Sequence, residues 1–162
     1  MKTEDEDLLN KAYEMCEDGN YPNALKLYDV VLSKNPKNIT ALIDKGVTLQ
    51  TIGKINQSIK LYDKVLKIQP SNLDALINKG SALHTAEKYE EAIRCYDLAI
   101  KIDNKCAMAL AYKGLSLGEL GNLEDAIKHF KKALSIDSDY DLAYISKKFA
   151  QDLLKGKKSK KL

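Results

Sequence analysis

Two histidines, three cysteines and 23 acidic residues are the side chains of this 162-residue chain with the richest chemistry open to them. A zinc site needs Cys and His at short, paired spacings, and a nucleophile needs a base that the fold can bring beside it. His84 and His129 lie 45 residues apart, and Cys16, Cys95 and Cys106 are scattered without any Cys–His pairing. No phosphate-cradling glycine loop and no G-x-S-x-G elbow occurs. The chain is therefore expected to be no enzyme, to hold no metal and to need no cofactor. An odd, dispersed set of cysteines fits a reducing compartment better than a disulfide framework.

A different spacing dominates the charged residues. Lys11, Lys45, Lys79, Lys113 and Lys147 stand 34 residues apart, and Asp29, Asp63 and Asp97 share that period. Two accounts fit the lysine column. Their stems could lie along seams between repeats, with the aspartates as partners, or they could form a cationic row that meets an anionic partner.

Small and apolar residues keep the same period. Gly46, Gly80 and Gly114 form one column, and Tyr28, Tyr62, Tyr96 and Phe130 another. Gly19, Gly53 and Gly121 form a third, in which Glu87 takes the remaining slot, and Pro36 and Pro70 form a fourth. Agreement of many independent columns on one period makes an internal repeat. Four units result, 5–38, 39–72, 73–106 and 107–140, preceded by a short extension, 1–4.

Each unit reads as two helices. In the second, Leu42, Gly46 and Leu49 form the inner stripe of helix A at spacings near 3.6. Gly53 breaks the chain, Ile55, Ile59, Tyr62, Val65 and Leu66 mark helix B, and Pro70 ends it. Thr3 and Glu6 form a capping box before the first helix. Residues 141–155 start a fifth unit with one helix, which Gly156 should stop, before a basic tail, 156–162. That helix should cap the array, with Ile145, Phe149 and Leu153 packed inward and Lys147, Lys148, Gln151 and Asp152 in solvent.

These columns resemble the tetratricopeptide repeat family, over about 136 of the 162 residues. Position 8 is small (Ala12, Gly46, Gly80, Gly114), position 24 is aromatic, and position 32 is Pro36 and Pro70 before Asn104 and Ser138 replace it. The family's Trp at position 4 is absent, with Leu8, Leu42, Leu76 and Leu110 in its place. The resemblance implies an all-α, right-handed α-solenoid of four helix-turn-helix repeats plus a C-terminal capping helix. It also implies a non-catalytic scaffold or adaptor that binds protein segments on a concave face lined by the A helices. On a helical wheel, positions 2, 5, 6, 9, 12 and 13 face that groove. They give as its candidate residues Leu9, Tyr13, Ile43, Asp44, Val47, Asp74, Ile77, Asn78, Met108, Tyr112, Leu115 and Glu119. Cys16 and His84 fall on this face too, but two repeats apart.

The groove is apolar and acidic, without Lys or Arg, so the ligand should be an apolar peptide or helix with some basic residues. Family members that grip chaperone C-termini do so with Lys, Arg and Asn at set positions. This chain offers only Asn78 in the better frame, so such a carboxylate tail is excluded as partner. Two alternatives remain. The chain could form a homo-oligomer, its groove taking the C-terminal helix of a second copy. Or it could serve nucleic acid or a membrane surface through its tail. Lys155–Leu162 carries five lysines, and without it the net charge falls from +3 to −2. Five charges without aromatic residues fit a solubilising end better than a phosphate-binding surface. No apolar run is long enough to span a bilayer, and the acidic start is no secretory signal, so a cytoplasmic protein is expected.

Overall fold

The computed structural model describes residues 3–159, and within them the regular structure is helical throughout. The helices run α1 (Glu4–Glu17), α2 (Tyr21–Lys34), α3 (Ile39–Thr51), α4 (Ile55–Ile68), α5 (Leu73–Thr85), α6 (Tyr89–Ile102), α7 (Ala107–Glu119), α8 (Leu123–Ile136) and α9 (Asp141–Ser159). Odd-numbered helices from α1 to α7 are the A helices of the sequence repeat and even-numbered ones the B helices. The chain divides into two compact units, one ending at Ala82 and the other starting at Leu83, within α5.

Local chemistry sets the boundaries. The capping box forms before α1, where the Thr3 N–H donates to Glu6 Oε2 at 2.9 Å and the Glu6 N–H to Thr3 Oγ1 at 3.2 Å. Asn38 and Asn72 cap α3 and α5, their side-chain oxygens accepting from the Ala41 and Ala75 N–H groups at 3.0 and 2.8 Å. Gly19, Gly53 and Gly121 turn the chain from A to B with φ between 73° and 79°. Glu87 occupies the same turn with φ 59°, a left-handed conformation that costs a side chain about 1 kcal/mol.

In the first unit α1 packs on α2, α2 on α3 and α3 on α4. Its core is built from the repeat columns: Ala12, Ala24 and Tyr28 form one cluster, and Leu42, Val65 and Ala75 another. The approach of α3 to α4 requires glycine, because a Cβ on Gly46 would stand 2.6 Å from the Tyr62 ring. The second unit repeats this at Gly114, whose Cβ would stand 2.6 Å from the Phe130 ring. Leu110, Ala126, Phe130, Ala133, Ala143 and Ala150 share its core across α7, α8 and α9.

Helix α9 departs from the sequence reading twice. It continues through Gly156 to Ser159, because a glycine inside a lysine-rich helix costs only about 1 kcal/mol and need not end it. Its inward face is also different. Ala143, Ala150 and Leu154 pack against α7 and α8, whereas Ile145, Phe149 and Leu153 are 65%, 66% and 43% exposed. The helix is thus turned so that small residues meet its neighbours. The lysines of the expected tail beyond residue 159 lie outside the described residues.

Candidate functional site

The A helices of each unit frame an open cleft. In the first unit a cleft of about 260 Å³ is lined by Tyr13, Cys16 and Glu17 of α1, Tyr21 and Tyr28 of α2, and Asp44, Val47, Thr48 and Thr51 of α3. Several of its polar groups bond to one another. Cys16 Sγ lies 3.3 Å from Thr48 Oγ1 and 3.8 Å from the Tyr28 hydroxyl, and the Thr48 hydroxyl donates to the Asp44 carbonyl at 2.8 Å. Burial pushes the Asp44 carboxyl above the usual carboxylate range. Burial also raises the Tyr28 and Tyr62 phenols, and the nearby Asp44 charge adds to both shifts.

The second unit has a cleft of about 280 Å³ between α7, α8 and α9. It is lined by Leu115, Gly118, Glu119, Leu123, Phe130, Ile145, Ser146, Phe149 and Leu153, among others. This surface is predominantly apolar, with Glu119 as its acidic member. His84, at the end of α5, lies apart from that lining, with Nδ1 2.9 Å from the Ser116 hydroxyl and its ring edge-on to Tyr89 at 5.2 Å. Burial holds the imidazole below its ordinary pKa, partly offset by the Glu119 charge.

The candidate residues named from sequence divide between clefts, seams and core. Tyr13, Asp44 and Val47 line the first cleft, and Leu115 and Glu119 the second. Met108 and Asp74 are exposed on α7 and α5, and Asn78 is half-buried. Leu9 packs against Ala12, Ala24 and Tyr28, and Ile43 against Leu42, Val65 and Ala75. Tyr112 meets the Tyr96 ring at 5.9 Å. Ile77 is only 7% exposed, so it belongs to the core and presents no surface to a ligand. Ile145, Phe149 and Leu153, assigned from sequence to packing, instead line a cleft. They occupy positions 5, 9 and 13 of the fifth unit, so the wheel that selected the other groove residues, carried one unit further, would have found them.

The lysine column is structural where its partners are seen. Lys45 pairs with Asp29, Lys79 with Asp63 at 2.6 Å and Lys113 with Asp97 at 2.6 Å. Each pair joins a B helix to the next A helix, with the lysine mostly covered and the carboxylate more exposed. Lys147 departs from the pattern and lies over the Tyr144 ring, 5.4 Å from its centroid. Among the described residues no group of three or more His, Cys, Asp or Glu side chains could hold a metal ion, and no helix is long and apolar enough to cross a membrane.

Comparison with known families fits this geometry. The family described as the Psidin N-terminal tetratricopeptide repeats region matches residues 6–113, and the single tetratricopeptide repeat matches residues 107–140. The chain belongs to the tetratricopeptide repeat family. No curated protein matches it. Among solved structures it is similar to MamA, with 26% identity, a TM-score of 0.78, and coverage of 87% of this chain and 82% of that one. A MamA from Desulfovibrio magneticus RS-1 is 20% identical with a TM-score of 0.77, covering 96% and 94% of the two chains. A thermophilic tetratricopeptide repeat protein of Thermus thermophilus is 19% identical with a TM-score of 0.76, covering 88% and 82%. The last two show the shared fold alone. Tetratricopeptide repeat proteins generally serve as protein-interaction scaffolds, and that coarse role extends to this chain.

Proposed function

We propose that this protein is a non-catalytic adaptor of the cell interior that holds an apolar, basic peptide or helix against its A-helix faces. One observation carries the reading. Large apolar side chains on these faces are left to solvent in both units, Tyr13 and Val47 in the first and Ile145, Phe149 and Leu153 in the second. Grouped apolar surface rimmed by polar groups marks a binding site more often than isolated apolar residues do. The carboxylates beside it, Glu17 and Asp44 in one cleft and Glu119 in the other, favour cationic ligands.

Selection of random dodecapeptides on the purified protein tests this, alongside Val47→Ser and Phe149→Ser variants whose fold circular dichroism confirms. Wild type should enrich apolar sequences with Lys or Arg, and at least one variant should lose them. Enrichment of the same peptides by all three proteins would remove the A-helix faces as the site. The apolar stripe of α9 also suits a second copy of the chain. A molecular mass that rises with concentration in sedimentation equilibrium, and reverts to monomer in Phe149→Ser, would establish that reading instead.

A further inference from the structure

The geometry points to the cleft of the first unit as a receptor for one cationic side chain, an arginine foremost, with Asp44 as its acceptor and Tyr13 as its wall. The inference rests on the peptide-binding reading above and names the chemistry that this cleft selects. Asp44 differs from the repeat-column aspartates. Asp29 and Asp63, in the same unit, each have a lysine, and Lys45, the neighbour of Asp44, is committed to Asp29. Asp44 pairs with no cation among the described residues. The polar atoms around it are already engaged with one another, Cys16 with Thr48 and Tyr28, and Thr48 with a backbone carbonyl.

A carboxylate held in a cleft without a counter-ion is disfavoured as a charge, which its upward pKa displacement by burial records. A ligand cation would relieve that cost, and its attraction would be stronger there than in open water. The rest of the lining suits a long cation. Glu17 adds a second negative charge, Val47 can cover an aliphatic stem, and the exposed Tyr13 offers a ring face on which a planar guanidinium stacks. The cleft, of about 260 Å³, fits one side chain with its flanking backbone, so the occupant is a residue of a peptide and not a folded surface.

The test uses the whole protein and two synthetic heptapeptides of leucine and serine, one with a central arginine and the other with citrulline, its neutral near-isostere. Nuclear magnetic resonance titration should show the arginine peptide shifting Tyr13 and Asp44 signals and binding about tenfold tighter than its counterpart. In Asp44→Asn, which keeps the side chain's size, that advantage should vanish while citrulline binding persists. Val47→Ser should weaken both peptides alike. Equal binding of the two peptides to wild type, or an advantage undiminished in Asp44→Asn, overturns the cation receptor yet leaves the apolar face standing. Absence of any shift on α1 or α3 with either peptide overturns both.

Discussion

The two clefts are built from the same repeat positions, yet they offer different chemistry. The cleft of the first unit is lined by hydroxyls, a thiol and the Asp44 carboxylate, together with Tyr13 and Val47. That of the second is framed by Leu115, Ile145, Phe149 and Leu153, with carboxylate character confined to Glu119. A tight A–B contact recurs beside them, with Gly46 against Tyr62 behind α3 in the first unit and Gly114 against Phe130 between α7 and α8 in the second. Binding character thus varies on the A-helix face while the A–B contact behind it stays fixed. A repeat fold permits this because the exposed residues that set each cleft's character, such as Tyr13 and Phe149, carry little of the helix packing. The buried rings Tyr28 and Phe130 back the clefts and hold the helix pairs together.

That separation can be broken or sharpened by substitution, with urea unfolding as the measure. Phe130→Ala should cost most, about 3–5 kcal/mol, because it empties a core position that also backs the second cleft. Gly46→Ala and Gly114→Ala should each cost about 1–3 kcal/mol, as the new methyl meets an aromatic ring that packed neighbours hold in place. If either glycine accepts alanine without loss, the shared-backbone half of the comparison fails. Glu87→Gly should gain up to about 1 kcal/mol by relieving the left-handed turn. Phe149→Ser should change stability by only about 0.5 kcal/mol, as befits an exposed side chain. A loss above about 2 kcal/mol would restore the packing role that the sequence suggested for it.

Acid sharpens the contrast further, because the two units carry titratable groups displaced in opposite senses. The His84 pKa is lowered in the fold, so the unfolded chain takes up a proton more readily. Stability from this group is therefore complete above the ordinary histidine value near 6.5 and declines as pH falls below it. Asp44 is raised, so its contribution is greatest while it is protonated and diminishes as pH rises through its displaced value. Asp44→Asn should accordingly raise the urea midpoint at pH 7 and leave it little changed at pH 3. Replacing His84 with Gln should flatten the decline between pH 7 and pH 5.

The helix order was legible because each repeat column has a packing cause that leaves a mark on residue type. A ring at position 24 demands a small residue at position 8, and a left-handed turn favours glycine. The outward face was legible only in part. Position 5 shows why: Ile43 packs on a cluster that includes Ala75 of the next A helix, while Ile145, at the same slot on α9, has no following helix among the described residues. Tyr144 is exposed for the same reason, where Leu42 and Leu110 at its repeat position are buried. Residues at one repeat position therefore meet different surroundings, and a wheel drawn for a single unit does not distinguish them. Asp44 escaped as a special carboxylate because its lack of a partner is a property of three dimensions.

The lysine–aspartate pairs have a consequence for how the protein comes apart. Each links the second helix of one repeat to the first helix of the next, from α2 to α3, α4 to α5 and α6 to α7. Surface ion pairs of this kind contribute only about 0–1 kcal/mol each, too little to decide whether a helix pair forms. Their leverage lies in coupling, since cooperativity in a repeat array depends on the terms between neighbours more than on those within them. Added salt screens these links while leaving the contacts between glycine and aromatic ring untouched. Raising ionic strength should therefore broaden unfolding before it lowers its midpoint, so that helix pairs fray one after another where they had melted together.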